Sequence, residues 1–282
     1  MPSSKNIVIA GADGKFIAID IFFKDKDVQK PVIIYAHGFC GFKDWGNADI
    51  FATLFADADF VFIKFNFSHN GTTSANPEDF TDLEAFGNNN YSKQLVDINA
   101  VIDWVSSAEN EYRQAIDTNN IYLIGHSMGG GISILQAARD KRIKKLITWA
   151  GISECKTPWG AWLPQKMQEW KNNGVQYYVN GRTKQNLPVY YQLYEDYLQN
   201  EASLNIQSAI SSLQIPVLIF HGTNDTSVPI ENAYNLLKWQ PSAELFTVAS
   251  NHVFDRSHPW NTNGLPAAMA EIVNKTVSFC GK

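Results

Sequence analysis

The run Ile121-Tyr-Leu-Ile-Gly125-His126-Ser127-Met128-Gly129-Gly130-Gly131 sets a serine between glycines, directly after a continuously apolar stretch. Read as strand, G-x-S-x-G turn and helix, it would hold Ser127 in a strained conformation, with Gly125 and Gly129 lacking the Cβ that would block the backbone. The unpaired N–H groups and positive end of the new helix would face the serine oxygen and stabilise negative charge there. The chemistry that suits this arrangement is nucleophilic attack by Ser127. A chain of this composition holds roughly 0.1 such patterns by chance, so the weight lies in the placement between strand and helix. The bland reading is a glycine-rich connector that packs a helix on a sheet.

A serine is a weak nucleophile at neutral pH and needs a base, which in turn needs an orienting carboxylate. After the apolar run ending at Phe220 comes His221-Gly-Thr-Asn-Asp225-Thr-Ser-Val-Pro229, with Asp225 at the tip of a turn; after the next comes Ala249-Ser-Asn-His252-Val-Phe254. Asp225 precedes His252 by 27 residues, room for one helix and one strand. The chain has six histidines. His126 should point away from the serine beside it, His37 and His221 precede glycines at strand ends and read as loop braces, His69 lies in a polar loop, and His258 precedes Pro259. His252 is therefore the expected base, against an exposed or capping histidine, and Asp225 the expected acid, against a plain Asx-turn residue. Glu154 and Asp255 are the reserve acids. An oxyanion hole requires two N–H groups. Met128 supplies one, and Phe39, in Tyr35-Ala-His-Gly38-Phe39-Cys-Gly41, supplies the other unless that loop is a plain turn. No H-E-x-x-H or other spaced ligand set competes, so no metal is assigned.

These residues need a scaffold. Residues 7–10 and 16–23 flank Gly11-Ala-Asp-Gly14 and read as an opening antiparallel hairpin. Residues 31–36, 60–67, 121–124, 146–150, 215–220 and 244–248 are compact runs, most continuously apolar, as in strands buried on both faces of a parallel sheet. Between them Leu95, Ile98, Ile102 and Val105, after Ser92 as N-cap, and Ile132, Leu135 and Ala138 repeat at helical spacing. The pattern predicts an α/β fold with a mostly parallel central sheet, an antiparallel N-terminal hairpin, helices on both faces, and ligands at the carboxyl ends of the strands. Residues 152–205 break the rhythm: nine Trp and Tyr and not one Phe, in a chain with 17 Phe. That segment is expected to be a mostly helical lid, inserted in a core formed by 1–151 and 206–282.

At 282 residues, with 45% apolar and 18% charged residues, the chain can bury a sizeable core. A net charge of −5 without a basic run argues against nucleic acid. The longest apolar runs are too short to span a bilayer. Three scattered cysteines form no CxxC pair, and no apolar leader precedes the first turn; both fit a cytoplasmic protein, monomer or homodimer. The acidic stretch at 78–84 reads as a solvated loop.

H-G-F-x-G at 37 to 41, G-H-S-M-G at 125 to 129, H-G-x-x-D at 221 to 225 and N-H-V-F at 251 to 254 together resemble the α/β-hydrolase family over nearly the whole chain. Within it the chain looks most like small serine carboxylesterases related to cinnamoyl and feruloyl esterases and to acylaminoacyl-peptidase-like hydrolases. The resemblance implies a triad of Ser127, Asp225 and His252, oxyanion amides at Phe39 and Met128, a lid after the sixth strand and no cofactor. The loop at 65–71 departs from it, lacking the Asp and Arg of the D-x-R-G-x-G-x-S turn that many relatives carry. The expected function is hydrolysis of small carboxylic esters through an acyl-enzyme, with acyl groups of apolar or aromatic character. The rivals are a peptidase or amidase acting on small aminoacyl substrates and a non-catalytic ligand-binding protein of the same fold.

Overall fold

Two strands open the chain, β1 (Ser4–Ala10) and β2 (Phe16–Phe22), paired antiparallel as the glycine turn between them predicts. There follow β3 (Lys30–Ala36), α1 (Asp49–Asp57), β4 (Val61–Asn66), α2 (Leu83–Gly87), α3 (Tyr91–Ser106), β5 (Ile116–His126), α4 (Met128–Arg139) and β6 (Ile143–Trp149). The next stretch carries α5 (Pro164–Asn173), β7 (Val175–Val179), β8 (Asn186–Tyr190) and α6 (Gln192–Gln199). The chain then continues with α7 (Ile206–Ser212), β9 (Val217–Gly222), α8 (Glu231–Trp239), β10 (Glu244–Val248) and α9 (Ala267–Cys280). This computed structural model describes residues 3–46 and 48–281; the outermost residues of the expected core, 1, 2 and 282, lie outside the described residues.

The main sheet has eight strands in the order β1-β2-β4-β3-β5-β6-β9-β10, antiparallel at β1/β2 and β2/β4 and parallel from β4 onward. Its strands are apolar on both sides because both sides are covered. In β3, Val32, Ile34 and Ala36 join a core with α3, α4, α7 and α8, while Ile33 and Tyr35 face a second core with α1 and α9. From β3 the chain passes outward to β4 and then returns across β3 to β5. That reversal opens a crevice at the carboxyl ends of β3 and β5, where ligands bind in such sheets. The loops carrying Phe39 and Ser127 leave from those two ends.

Three details differ from the sequence reading. Helix α3 is capped by Asn90, whose side chain accepts from the Lys93 N–H, and not by Ser92, whose own N–H is taken by Asp196. Strand β5 begins at Ile116, five residues before the apolar run, because the polar and partly exposed stretch 117–120 joins buried Ile116 to it and carries no apolar signal of its own. The segment 152–205 is not mostly helical: α5 and α6 flank the antiparallel hairpin β7–β8. Strand β7 is exposed over most of its length, so it lacks the continuous apolar run that marks a strand buried on both faces, and Pro188 in β8 is tolerated in a two-stranded ribbon.

The aromatic residues of that segment have a clear destination. Trp170 is fully buried, donates its indole N–H to the Val189 carbonyl at 2.7 Å, and meets the rings of Trp159, Trp162, Tyr191 and Tyr194 at 5.1–6.0 Å. The segment is also strapped to the loop and helix at 78–92. Arg182 bonds the Glu78 carbonyl and Asp79, Gln185 the Phe80 carbonyl, Tyr190 the Glu84 carboxylate, and Gln192 the carbonyls of Gly87 and Asn89. The acidic stretch is therefore partly an anchor within the molecule and not only a solvated loop.

Candidate active site

Ser127 joins β5 to α4 with φ 57° and ψ −122°, a strained conformation for a residue with a side chain. The surroundings enforce it. Its N–H donates to the Trp149 carbonyl at 2.9 Å, and its carbonyl accepts from Gly130 at 2.9 Å and Ile152 at 3.2 Å. The glycines on either side are needed for close approach: a Cβ on Gly125 would lie 2.2 Å from the Gly129 oxygen, and one on Gly129 would lie 2.4 Å from the Ala36 oxygen. Met128 is the first helical residue after this turn, so its N–H has no partner within α4. The 37–41 loop presses on the serine from the other side, for a Cβ on Gly38 would meet Ser127 Cβ at 2.8 Å and Oγ at 3.3 Å. Phe39, the next residue, lines the same cleft as Ser127.

Asp225 and His252 come together at the ends of β9 and β10. His252 Nδ1–H donates to Asp225 Oδ2 at 2.7 Å, which leaves Nε2 bare as a proton acceptor. The other carboxylate oxygen accepts from the N–H groups of Ser227 at 2.8 Å and Val228 at 2.9 Å. Asp225 thus has two sets of partners: Oδ1 closes an Asx-type turn and Oδ2 accepts from the imidazole. Burial favours the neutral acid, but hydrogen bonds from His221 and His252, the His252 charge and the Val228 amide outweigh it and hold the Asp225 carboxyl well below its ordinary value.

Ser127 and His252 both line a cleft of about 670 Å³. Its floor and walls include Phe39, Ile152, Tyr178 and Val228, and Glu154 and Lys156 add an ion pair of 3.1 Å. Of the nine aromatics in 152–205 only Tyr178 reaches it, resting edge-on against Phe39 with ring centroids 5.2 Å apart. Glu154 faces Lys156 and Asp255 is exposed, so neither reserve acid contacts His252 through a hydrogen bond or ion pair described here.

The remaining histidines brace loops, in two cases more directly than their sequence positions reveal. His37 donates from Nδ1 to the Gly38 carbonyl at 2.9 Å and accepts the Phe67 N–H at Nε2, and burial pushes its pKa down to about 4. His221, fully buried, donates Nε2–H to the Val228 carbonyl at 2.8 Å and lies 3.4 Å from Asp225 Oδ2. The four-residue spacing in H-G-x-x-D is the signal that could have found that contact. His126 Nε2 meets the His252 carbonyl at 2.9 Å, a contact between residues too distant in sequence for spacing to predict. His69 bonds Ser68, and His258 accepts from the Gly46 N–H. The 65–71 loop, which lacks that Asp and Arg, is braced by Asp97, which accepts the Ser68 N–H and hydroxyl, each at 2.8 Å.

Among the described residues one group could resemble a metal site: Asp20, Asp44 and Asp49, whose carboxylate oxygens lie within 4.8 Å of one another. It is already filled with cations. Lys43 Nζ lies 2.7 Å from both Asp20 and Asp44, and Lys64 pairs with all three carboxylates. Among the described residues no helix is long and apolar enough to cross a membrane.

The chain is similar to known proteins in sequence and, among solved structures, in fold. The BD-FAE family model matches residues 19–240. An uncharacterised 31.7 kDa protein from the traX-finO intergenic region of Escherichia coli is 30% identical over 132 residues, 47% of this chain and 41% of that protein. The 2,6-dihydropseudooxynicotine hydrolase of Paenarthrobacter nicotinovorans is 27% identical over 146 residues, 52% of this chain and 34% of that enzyme. The match thus spans less than half of either relative's length. Est1E from Butyrivibrio proteoclasticus, solved with ferulic acid bound, has a TM-score of 0.68 at 19% identity over 97% of both chains. The α/β-hydrolase GrgF from Penicillium sp. sh18 has a TM-score of 0.73 at 18% identity, covering 99% of this chain and 98% of its own. At such identities the structural likeness speaks for the fold alone. With most of its length matched by the family model, the chain belongs to the BD-FAE family and has the α/β-hydrolase fold.

Proposed function

We propose that this protein is a serine hydrolase that cleaves small carboxylic esters through an acyl-enzyme. Ser127 Oγ attacks the carbonyl carbon as His252 Nε2 takes its proton; Asp225 holds the imidazole and stabilises the imidazolium. The Phe39 and Met128 amides receive the developing oxyanion. The imidazolium protonates the departing alcohol, and neutral His252 then removes a proton from the water that releases the acid. The observation that carries this reading is the 2.7 Å bond from His252 to a buried carboxylate, with His252 and the strained Ser127 lining one cleft.

The acyl group lies against Phe39 and Tyr178, the aromatic pair in the cleft wall. Support for aromatic or apolar acyl groups rests on that pair and not on the Trp and Tyr excess of the segment, which packs mostly on itself. The segment covers the cleft as a cap, and the protein acts in the cytoplasm without a cofactor. The test is turnover of a short-chain p-nitrophenyl ester and of a hydroxycinnamate ester by wild type and Ser127→Ala. Loss of the hydroxyl should lower kcat by about 10⁴-fold or more on both. Undiminished turnover overturns the mechanism, and a clear preference for the aliphatic ester overturns the acyl assignment.

A further inference from the structure

His126 closes β5, and its peptide leads directly into Ser127. Its ring crosses to the loop after β10. A carbonyl can only accept, so the 2.9 Å contact with the His252 carbonyl fixes Nε2–H as the donor and leaves Nδ1 bare. The two imidazoles are 4.8 Å apart between centroids, and the His126 ring also meets the fully buried Phe254, edge-on, at 6.4 Å. The loop it grips is stiff: the Asn251 side chain accepts the N–H groups of both Val253 and Asp255 at 3.1 Å, and Phe254 and Asp255 take φ of 57° and 61°. On its other side, the Asn224 N–H bonds the Ser250 carbonyl at 3.0 Å and ties the loop to the turn that bears Asp225.

We infer that His126 is a positioning residue that couples the loop presenting the base to the strand presenting the nucleophile, an inference that rests on the ester-hydrolase reading above. The loop of His252 is tied to the acid through Asn224 and to Ser127 through His126, so all three groups share one frame. The distance that matters most, hydroxyl to imidazole, depends on the second tie. A misplacement of about 1 Å between reacting groups can cost on the order of 10²-fold in rate. Burial, with His252 and Arg256 close by, keeps His126 neutral, so it adds no positive charge beside the imidazolium that forms on His252.

The test is a pair of variants that differ in reach. In His126→Gln the amide nitrogen stands about where Nε2 stood, whereas in His126→Asn it falls short. The expected result is a fall in kcat of about 10- to 100-fold for His126→Asn with KM unchanged, and recovery to within about threefold of wild type for His126→Gln. Equal losses in both, or no loss in either, overturn the inference, because a residue that only fills space gives no rescue by the longer amide. A second readout is the rate at which a fluorophosphonate labels Ser127, followed by peptide mass. Labelling of wild type with an equally fast His126→Asn overturns the inference alone. A wild type that is not labelled at Ser127 overturns the ester-hydrolase reading, and this inference with it.

Discussion

The carboxyl rim of the sheet and the segment 152–205 are both places where side chains gather, and they gather for different reasons. At the rim, Gly38, Ser127, Asp225 and His252 arrive from the ends of four strands that are far apart in the chain. Three of them are held in a costly state: Ser127 at a positive φ, Asp225 as a buried carboxylate, and Gly38 where a Cβ would collide with Ser127. In the segment, Trp159, Trp162, Trp170, Tyr191 and Tyr194 are near neighbours in sequence that bury one another. Remote polar groups brought together under strain mark a site, whereas aromatics clustered in relaxed packing mark the small core of a subregion.

The division breaks if the two regions respond alike to substitution. Of the substitutions that leave the Ser127 hydroxyl in place, Asp225→Asn should have the largest effect, lowering kcat by about 10³- to 10⁴-fold, since an amide cannot hold His252 in the required tautomer. It also carries a pH signature. The folded-state pKa of Asp225 is depressed below its ordinary 3.8, so its stabilisation is complete above that pH and is lost as pH falls through the folded value. The gap in Tm between wild type and Asp225→Asn should therefore be full at neutral pH and shrink steadily below about pH 4. A gap that widens in acid would reverse the assignment.

Trp170→Ala comes next, and in the other region. Removing a fully buried indole should cost about 3–5 kcal/mol in denaturant unfolding, while kcat per folded molecule stays near wild type. A loss of turnover as deep as that of Asp225→Asn would erase the distinction between the regions. Arg182→Ala should be mildest. Its contacts with Glu78 and Asp79 are at the surface, so global stability should change by less than about 1 kcal/mol. Amide exchange in β7 and β8 should nevertheless quicken, and unaltered exchange would mean that the strap to the 78–92 region is not what steadies the hairpin.

The same division explains what could be read from the residues alone. Strands buried on both faces give continuous apolar runs, so β3, β4, β6 and β9 were legible, as was the turn at Ser127, where glycines are dictated by contact distances. Strand β7 was not, because an exposed ribbon has no such run. The Trp and Tyr excess was visible, but composition does not say whether a ring faces a cleft or a neighbouring ring, and only Tyr178 turned to the cleft. The pairing of Asp225 with His252 was foreseeable from strand-end positions. The reach of His126 to a carbonyl 126 residues away, and the bracing of the 65–71 loop by Asp97, depend on how helices and loops stack in three dimensions.

The strap between segment 152–205 and the 78–92 region has a consequence for engineering. A chimera that exchanges 152–205 for the equivalent piece of another protein would strand the carbonyls of Glu78, Phe80, Gly87 and Asn89, whose donors Arg182, Gln185 and Gln192 leave with the piece removed. The transplantable unit is thus two separate lengths of chain, and grafts that move both should keep their hosts soluble where single-piece swaps precipitate.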